Sequence, residues 1–226
     1  MRIEKLKTVN STNLYLEKFI KGREDVIVCA EEQTAGMGTK GRSFVSQKGG
    51  LYVSKLAFHR NLPASEIYSV NINACMAVVK TLLCYGLQPK IKWPNDVFVC
   101  GKKICGILIN NSLCGDKVDY SVIGIGVNVN NEFDGELKDI AFSMREACGK
   151  SFDLDEVFMT LCTNLSFPSN VKEYAAFSAV LNKKVKIIRG NRTFEAVPTE
   201  ILPDGRLKLD DGTLLSAGEL DLKIGL

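Results

Sequence analysis

The sequence predicts an α+β protein: a strand-rich unit with helices, followed by a small all-β module. Three observations carry this reading. Runs of strand length recur at 2–9, 26–30, 51–58, 97–100, 104–109 and 121–130, with one long helical pattern at 67–85 between them. The chain then turns helical from about 133 to 180. At about Asn182 it changes again, to short β runs joined by Gly190-Asn191, Asp204-Gly205 and Asp211-Gly212, dipeptides that mark hairpin turns. The expected division is therefore 1–181 and 182–226.

Residues 2–9 read as an edge strand. Asn10, Ser11, Thr12 and Asn13 precede Leu14, Leu16, Phe19 and Ile20, with Gly22 as a stop. This pattern fits either a capped helix or a polar helix start facing a ligand. Val26–Ala30 is a buried strand that empties into EEQTAGMGTKGR, residues 31–42, with three glycines (Gly36, Gly38, Gly41) and basic Lys40 and Arg42. Glycine leaves backbone N–H groups open to anionic oxygens, so the loop points to an anion. It is not a Walker loop, because no Gly-Lys-Ser/Thr follows. A dinucleotide fingerprint fails too, because the loop leads to another strand, 51–58, and not to a helix.

Ile67, Val70, Ala74, Ala77, Val78, Leu82 and Tyr85 form one helical stripe, ended by Gly86. A further strand ends at Trp93-Pro94. Val97–Cys100 and Ile104–Ile109 then flank a turn at Gly101-Lys102, which reads as a hairpin. Simple alternation places Lys103 on the face of Cys105, Ile107 and Ile109. It is either an inward-pointing charge or an edge lysine that blocks aggregation. In 121–130, one face carries Ile123, Ile125, Val127 and Val129, the other Gly124, Gly126 and Asn128. Two glycines on one strand face leave room for a ligand or for a closely packed helix. Residues 155–165 and 172–181 are helix candidates.

Composition excludes several classes. The chain has 226 residues, 46% hydrophobic and 24% charged, with net charge +3, too small to argue for nucleic acid. No apolar stretch in the sequence reads as a membrane span, and the N-terminus lacks a secretory core. These features give the expectation of a soluble, cytoplasmic protein with neither a nucleic-acid nor a membrane partner. The eight cysteines form no C-x-x-C pair and are expected as reduced core residues. The single histidine, His59, reads as a loop-edge residue, which leaves hydrolase triads and histidine zinc sites without support.

Ser11-Thr12-Asn13, EEQTAGMGTKGR, Gly49-Gly50-Leu51-Tyr52, KWPND at 92–96, GKKICGIL at 101–108, GIGVNVN at 124–130 and the β module occur together. In this order they resemble the biotin protein ligase (biotin–acetyl-CoA-carboxylase ligase) family across nearly the whole chain. The resemblance implies a class II synthetase-like mixed sheet with helices as a biotin- and ATP-binding catalytic domain, 1–181, and an SH3-like barrel, 182–226. It implies formation of biotinyl-5′-AMP from biotin and ATP with Mg²⁺, then transfer of biotin to a lysine of a biotin carboxyl carrier protein. It further implies a homodimer as the relatives' tendency. Because the chain starts just before its ligase motifs, a DNA-binding repressor domain is not expected.

By residue, the resemblance implies Lys103 and Arg42 as catalytic. It implies Ser11, Thr12, Asn13, Gln33, Gly36, Gly38, Arg42, Lys103, Gly106, Gly124 and Gly126 around biotin. It places Gly38, Thr39, Lys40, Gly41, Arg42, Phe44, Trp93, Asn95, Asp96 and Asn128 around the adenylate, with Asp96 toward Mg²⁺. A lipoate or octanoate ligase of the same superfamily, or a non-enzymatic biotin-binding protein, are the alternatives. Met37 and Thr39 stand where relatives often carry basic residues, and Phe44 where tryptophan is common. The adenylate is therefore expected to leave faster than from an arginine-rich relative; equal off-rates in a chase experiment contradict this.

Overall fold

Seven strands form one mixed sheet in the order β1-β2-β3-β7-β6-β5-β4. They are β1 (Arg2–Val9), β2 (Val26–Gln33), β3 (Leu51–Pro63), β4 (Lys90–Lys92), β5 (Asp96–Val99), β6 (Lys102–Cys114) and β7 (Lys117–Val127). Only β1 and β2 run parallel; every other neighbour pair is antiparallel. This computed structural model describes residues 2–189, 192–216 and 221–223.

Alternation assigns the two sheet faces. Ile27, Val53, Ile107, Ile123, Ile125 and Val127 join the main core under α3 (Tyr68–Cys84), α6 (Leu154–Asn164) and α7 (Val171–Ala176). Val26, Val28, Leu56 and Val122 face the other way, under Leu16 of the segment containing α1 (Thr12–Tyr15) and α2 (Glu17–Ile20). α3 is buried on more than the one expected stripe: Ile72, Cys75, Met76 and Val79 are buried beside Val70, Ala74, Ala77, Val78 and Leu82. Contrary to the expectation that no stretch reads as a membrane span, the helix Ala64–Cys84 is long and apolar enough to cross a membrane by length and composition. Here it is a core helix, wedged between the sheet and α6 and α7.

Other expectations shift locally. The helix after Asn10 splits into α1 and α2, and Ser11 at its start makes no side-chain capping bond. The β5–β6 turn is Cys100-Gly101, both with positive φ (49° and 78°), one residue earlier than expected. His59 lies inside β3, not at a loop edge; its Nε2 is 2.8 Å from Ser121 Oγ, and burial lowers its pKa. The eight cysteines are free, but Cys84, Cys100 and Cys114 are exposed, so the core assignment holds only for Cys75, Cys105 and Cys162, with Cys29 and Cys148 half-buried.

After α4 (Leu137–Ile140), α5 (Met144–Cys148), α6 and α7 comes the small β-rich unit expected there, whose described residues form two three-stranded sheets. β8 (Val185–Arg189) pairs with β9 (Arg192–Ala196) and β13 (Asp221–Lys223). The other sheet is β10 (Pro198–Ile201), β11 (Leu207–Leu209) and β12 (Leu214–Leu215). The expected turn at Gly190-Asn191 lies outside the described residues. Val185, Ile187, Ile201, Leu207, Leu209 and Leu215 share one apolar cluster with the main sheet, so packing is continuous across the 181/182 division.

Trp93 is the joint between the two. It is 2% exposed and donates its indole N–H to the Gly205 carbonyl at 3.0 Å, while the ring of Tyr68 packs on Gly205. Trp93→Phe is expected to cost about 1–3 kcal/mol, because it leaves a buried carbonyl without its donor. Urea unfolding measures that loss. Catalysis well below the melting temperature should be unchanged, and a selective loss of nucleotide affinity contradicts the structural role.

Candidate active site

The site lies on the sheet face that carries α1, where register across four strands removes side chains. Tyr52 of β3 opposes Gly126 of β7, Gly126 opposes Gly106 of β6, and Gly106 opposes Asp96 of β5. One row along, Ser54 opposes Gly124, and Gly124 opposes Leu108. The glycines leave a flat trough with Tyr52 on one side and Asp96 on the other. Burial pushes the Tyr52 phenol up to about 12, so it stays a neutral donor; it bonds the Gln47 carbonyl at 2.6 Å.

Lys103 reaches this face through a β-bulge. Phe98 opposes Lys103 and Val97 opposes Cys105, so Ile104 is an extra residue in β6. Without it Lys103 would share the core face with Cys105 and Ile107, as simple alternation predicts; the bulge re-aims it. Its Nζ lies over Gly106 and pairs with Asp96 Oδ1 at 2.7 Å. The backbone of the bulge is clamped. The Lys103 carbonyl accepts from Phe142 N at 2.9 Å and Asn128 Nδ2 at 3.3 Å, and the Ile104 carbonyl from Asn128 N at 2.8 Å.

The glycine loop folds back as an irregular hairpin. Phe44 N–H donates to Gly36 O at 2.8 Å, and Gly38 N–H to Arg42 O at 2.7 Å. A Cβ on Gly36 would strike the Phe44 carbonyl, so only glycine lets the two arms approach. The Phe44 ring covers the trough: a Cβ on Gly126 would lie 2.5 Å from it, and one on Gly106 3.0 Å. Phe44 meets Tyr52 edge-on with centroids 6.4 Å apart, and Lys103 Nζ stands 5.7 Å from its centroid. The flat group beside the glycines is thus Phe44, with the Asn13 amide over Gly124.

At the opposite end from Lys103 the wall is neutral and hydrogen-bonded. Gln33 Oε1 accepts from Thr12 N at 2.8 Å and Thr12 Oγ1 at 2.9 Å, and Gln33 Nε2 donates to Ser46 Oγ at 2.9 Å. Ser54 Oγ, fully buried, lies 2.5 Å from Asn13 Oδ1 and 2.7 Å from Thr12 Oγ1.

Ser11, Thr12, Asn13, Gln33, Gly38, Thr39, Phe44, Asn95, Asp96, Lys103, Gly106, Gly124 and Gly126 all line one cavity of about 50 Å³. That is small beside the roughly 300–1,000 Å³ of sites enclosing small molecules, because Phe44 and Asn13 fill what the glycines leave open. Five expected residues stand elsewhere. Trp93 is in the core, and Asn128 is behind Lys103. Gly36 and Gly41 shape the hairpin, and Arg42 lies exposed on it, outside the cavity lining. The Lys40 side chain lies outside the described residues. Met37, Tyr52, Val53, Ile107, Leu108 and Ile125 also line the cavity, unassigned from sequence.

Among the described residues no group of three His, Cys, Asp or Glu side chains is placed to hold a metal ion. Asp96, expected toward Mg²⁺, is committed to Lys103. The described residues thus offer no side-chain metal cage.

The family model for the biotin/lipoate A/B protein ligase family matches residues 6–128. The chain belongs to this family. Its ligase-family relatives include the bifunctional ligase/repressor BirA of Bacillus subtilis (strain 168), 37% identical over 155 residues, which are 67% of this chain and 47% of that protein. The biotin–[acetyl-CoA-carboxylase] ligase of Paracoccus denitrificans is 34% identical over 128 residues, 55% of this chain and 53% of that protein. The chain thus spans about half the length of these curated relatives. Among solved structures, the biotin protein ligase from Aquifex aeolicus in complex with biotin and ATP superposes with a TM-score of 0.78 at 27% identity, covering 98% of both chains. That from Leishmania major in complex with biotinyl-5-AMP gives 0.66 at 25%, covering 96% of this chain and 99% of the other.

Proposed function

We propose that this chain is an ATP-dependent biotin protein ligase. The single observation that carries the reading is the polarity of one cavity. It has a cation, Lys103, at one end and a neutral hydrogen-bonding wall, Thr12, Asn13 and Gln33, at the other. Biotin has that shape in negative: a carboxylate on an apolar tail, and a cyclic urea with N–H donors and a carbonyl acceptor. Relatives named for biotin ligation, and neighbours solved with biotin, ATP and biotinyl-5-AMP, support the same reading.

In the first step a biotin carboxylate oxygen bonds to the α-phosphorus of ATP and the bond to pyrophosphate breaks, giving biotinyl-5′-AMP. The two reacting groups are both anionic, and Lys103 offsets their repulsion as charge develops. In the second step the ε-amine of a lysine on a biotin carboxyl carrier protein attacks the acyl carbon, and AMP leaves with the bonding pair. Loop 36–46 shields the anhydride from water. Arg42 and the loop amide of Gly41 approach the phosphates, Mg²⁺ accompanies the nucleotide, and the Phe44 ring leaves the trough to admit substrate. The reaction belongs in the cytoplasm, which the free cysteines suit. The proposal assigns no repressor function to these 226 residues, and it does not include a homodimer, which no observation supports.

A dithiolane or an alkyl tail, as in lipoate or octanoate, has nothing to pair with Thr12, Gln33 and Asn13, so those acids are disfavoured. Thermal shift separates them, because a ligand bound only by the folded state raises the melting temperature. Biotin is expected to stabilise the protein and lipoate not; the reverse moves the chain to the lipoate branch.

A further inference from the structure

We propose that Ser54 and Ser46, neither assigned from the sequence, are positioning residues that set the donor–acceptor pattern of the head-group end. They thereby select a cyclic urea. The inference rests on the biotin reading above and names what enforces it.

Proton directions are fixed along one chain of hydrogen bonds. It starts at the Phe44 carbonyl in the glycine loop, which can only accept. Ser46 Oγ is 2.9 Å from it and therefore donates. Having donated, Ser46 Oγ accepts from Gln33, which fixes the amide nitrogen toward Ser46 and Oε1 toward Thr12. The Thr12 backbone N–H, a donor only, demands the same orientation independently. Thr12 then spends its hydroxyl proton on Gln33 Oε1.

Ser54 has one proton and two neighbours, Asn13 Oδ1 at 2.5 Å and Thr12 Oγ1 at 2.7 Å. Thr12 has already given its own proton to Gln33, so the 2.7 Å contact takes the Ser54 proton. Ser54 Oγ then accepts from the Asn13 amide, whose nitrogen is assigned to the end beside Ser54 and whose oxygen turns to the cavity. The Asn13 oxygen and the remaining lone pair of Thr12 Oγ1, on two residues that both line the cavity, offer acceptors. A cyclic urea presents the complement, its ring N–H. Because the chain begins at Phe44, the polarity of this wall is also tied to the folded-back state of the loop.

The test measures affinity for biotin and for biotin methylated on its ureido nitrogens, by competition calorimetry on wild type, Ser54→Ala and Ser46→Ala. Ser54→Ala is expected to weaken biotin by about 10-fold, as for one lost hydrogen bond, and the methylated analogue by less than about 2-fold, since that contact is already gone. Ser46→Ala, in the loop and not in a core strand, carries the same selectivity should Ser54→Ala fail to fold. Equal losses for both compounds, or none, overturn the positioning role while leaving the biotin reading intact. A wild type that binds no biotin overturns that reading and this inference together.

Discussion

Lys103→Ala is expected to slow single-turnover formation of the adenylate by about 10²–10³-fold, the effect of removing one donor aimed at developing charge. Biotin affinity should fall much less, because the loss falls in the transition state. The structure favours an unchanged fold. Lys103 is half-exposed, and its backbone is held by Phe142 and Asn128, not by its side chain. Part of the loss comes from Asp96, which at 2.7 Å from Nζ becomes an uncompensated anion beside two others. Adding Asp96→Asn to Lys103→Ala should recover some of the rate, so the two changes are non-additive. A loss of affinity as large as the loss of rate contradicts the role given to Lys103.

Gly126→Val should have the second-largest effect. A Cβ at this position lies within 2.5 Å of the Phe44 ring and on the floor of the trough. A bulky side chain there overpacks any ligand at a cost of about 1–3 kcal/mol, or about 5- to 150-fold in affinity. The fold should tolerate it. Valine suits a strand, and the clash is with a side chain on a loop, which can swing outward. Calorimetry is expected to show biotin binding weakened by about that factor with the melting temperature little changed. Normal binding means that the trough does not hold the ligand.

The strand pattern and the site's glycines were legible because both depend on spacing alone. Gly124 and Gly126 stand two apart in an apolar strand, and nothing but a close approach explains them. The face of Lys103 was not legible: the extra residue, Ile104, leaves no mark in KKICGIL, and only pairing with β5 exposes it. The resemblance carried by KWPND implies a nucleotide role for Trp93, yet neighbours in a motif need not point the same way. Beyond the end of β4 at Lys92, Asn95 and Asp96 line the cavity while the indole stays in the core. Ser54 was missed because a single serine in an apolar strand reads as tolerance. The one available signal was its i, i+2 relation to Tyr52, which puts both on the site face. Ser11-Thr12-Asn13 fits capping and ligand contact at once, and the missing cap bond at Ser11 removes the first.

The measurement that tests the central claim most directly is exchange of labelled pyrophosphate into ATP by the wild-type chain, run with biotin, lipoate and octanoate. The account predicts exchange that depends on biotin and is near background with the other two acids. Exchange driven by lipoate or octanoate, or none with biotin, contradicts it.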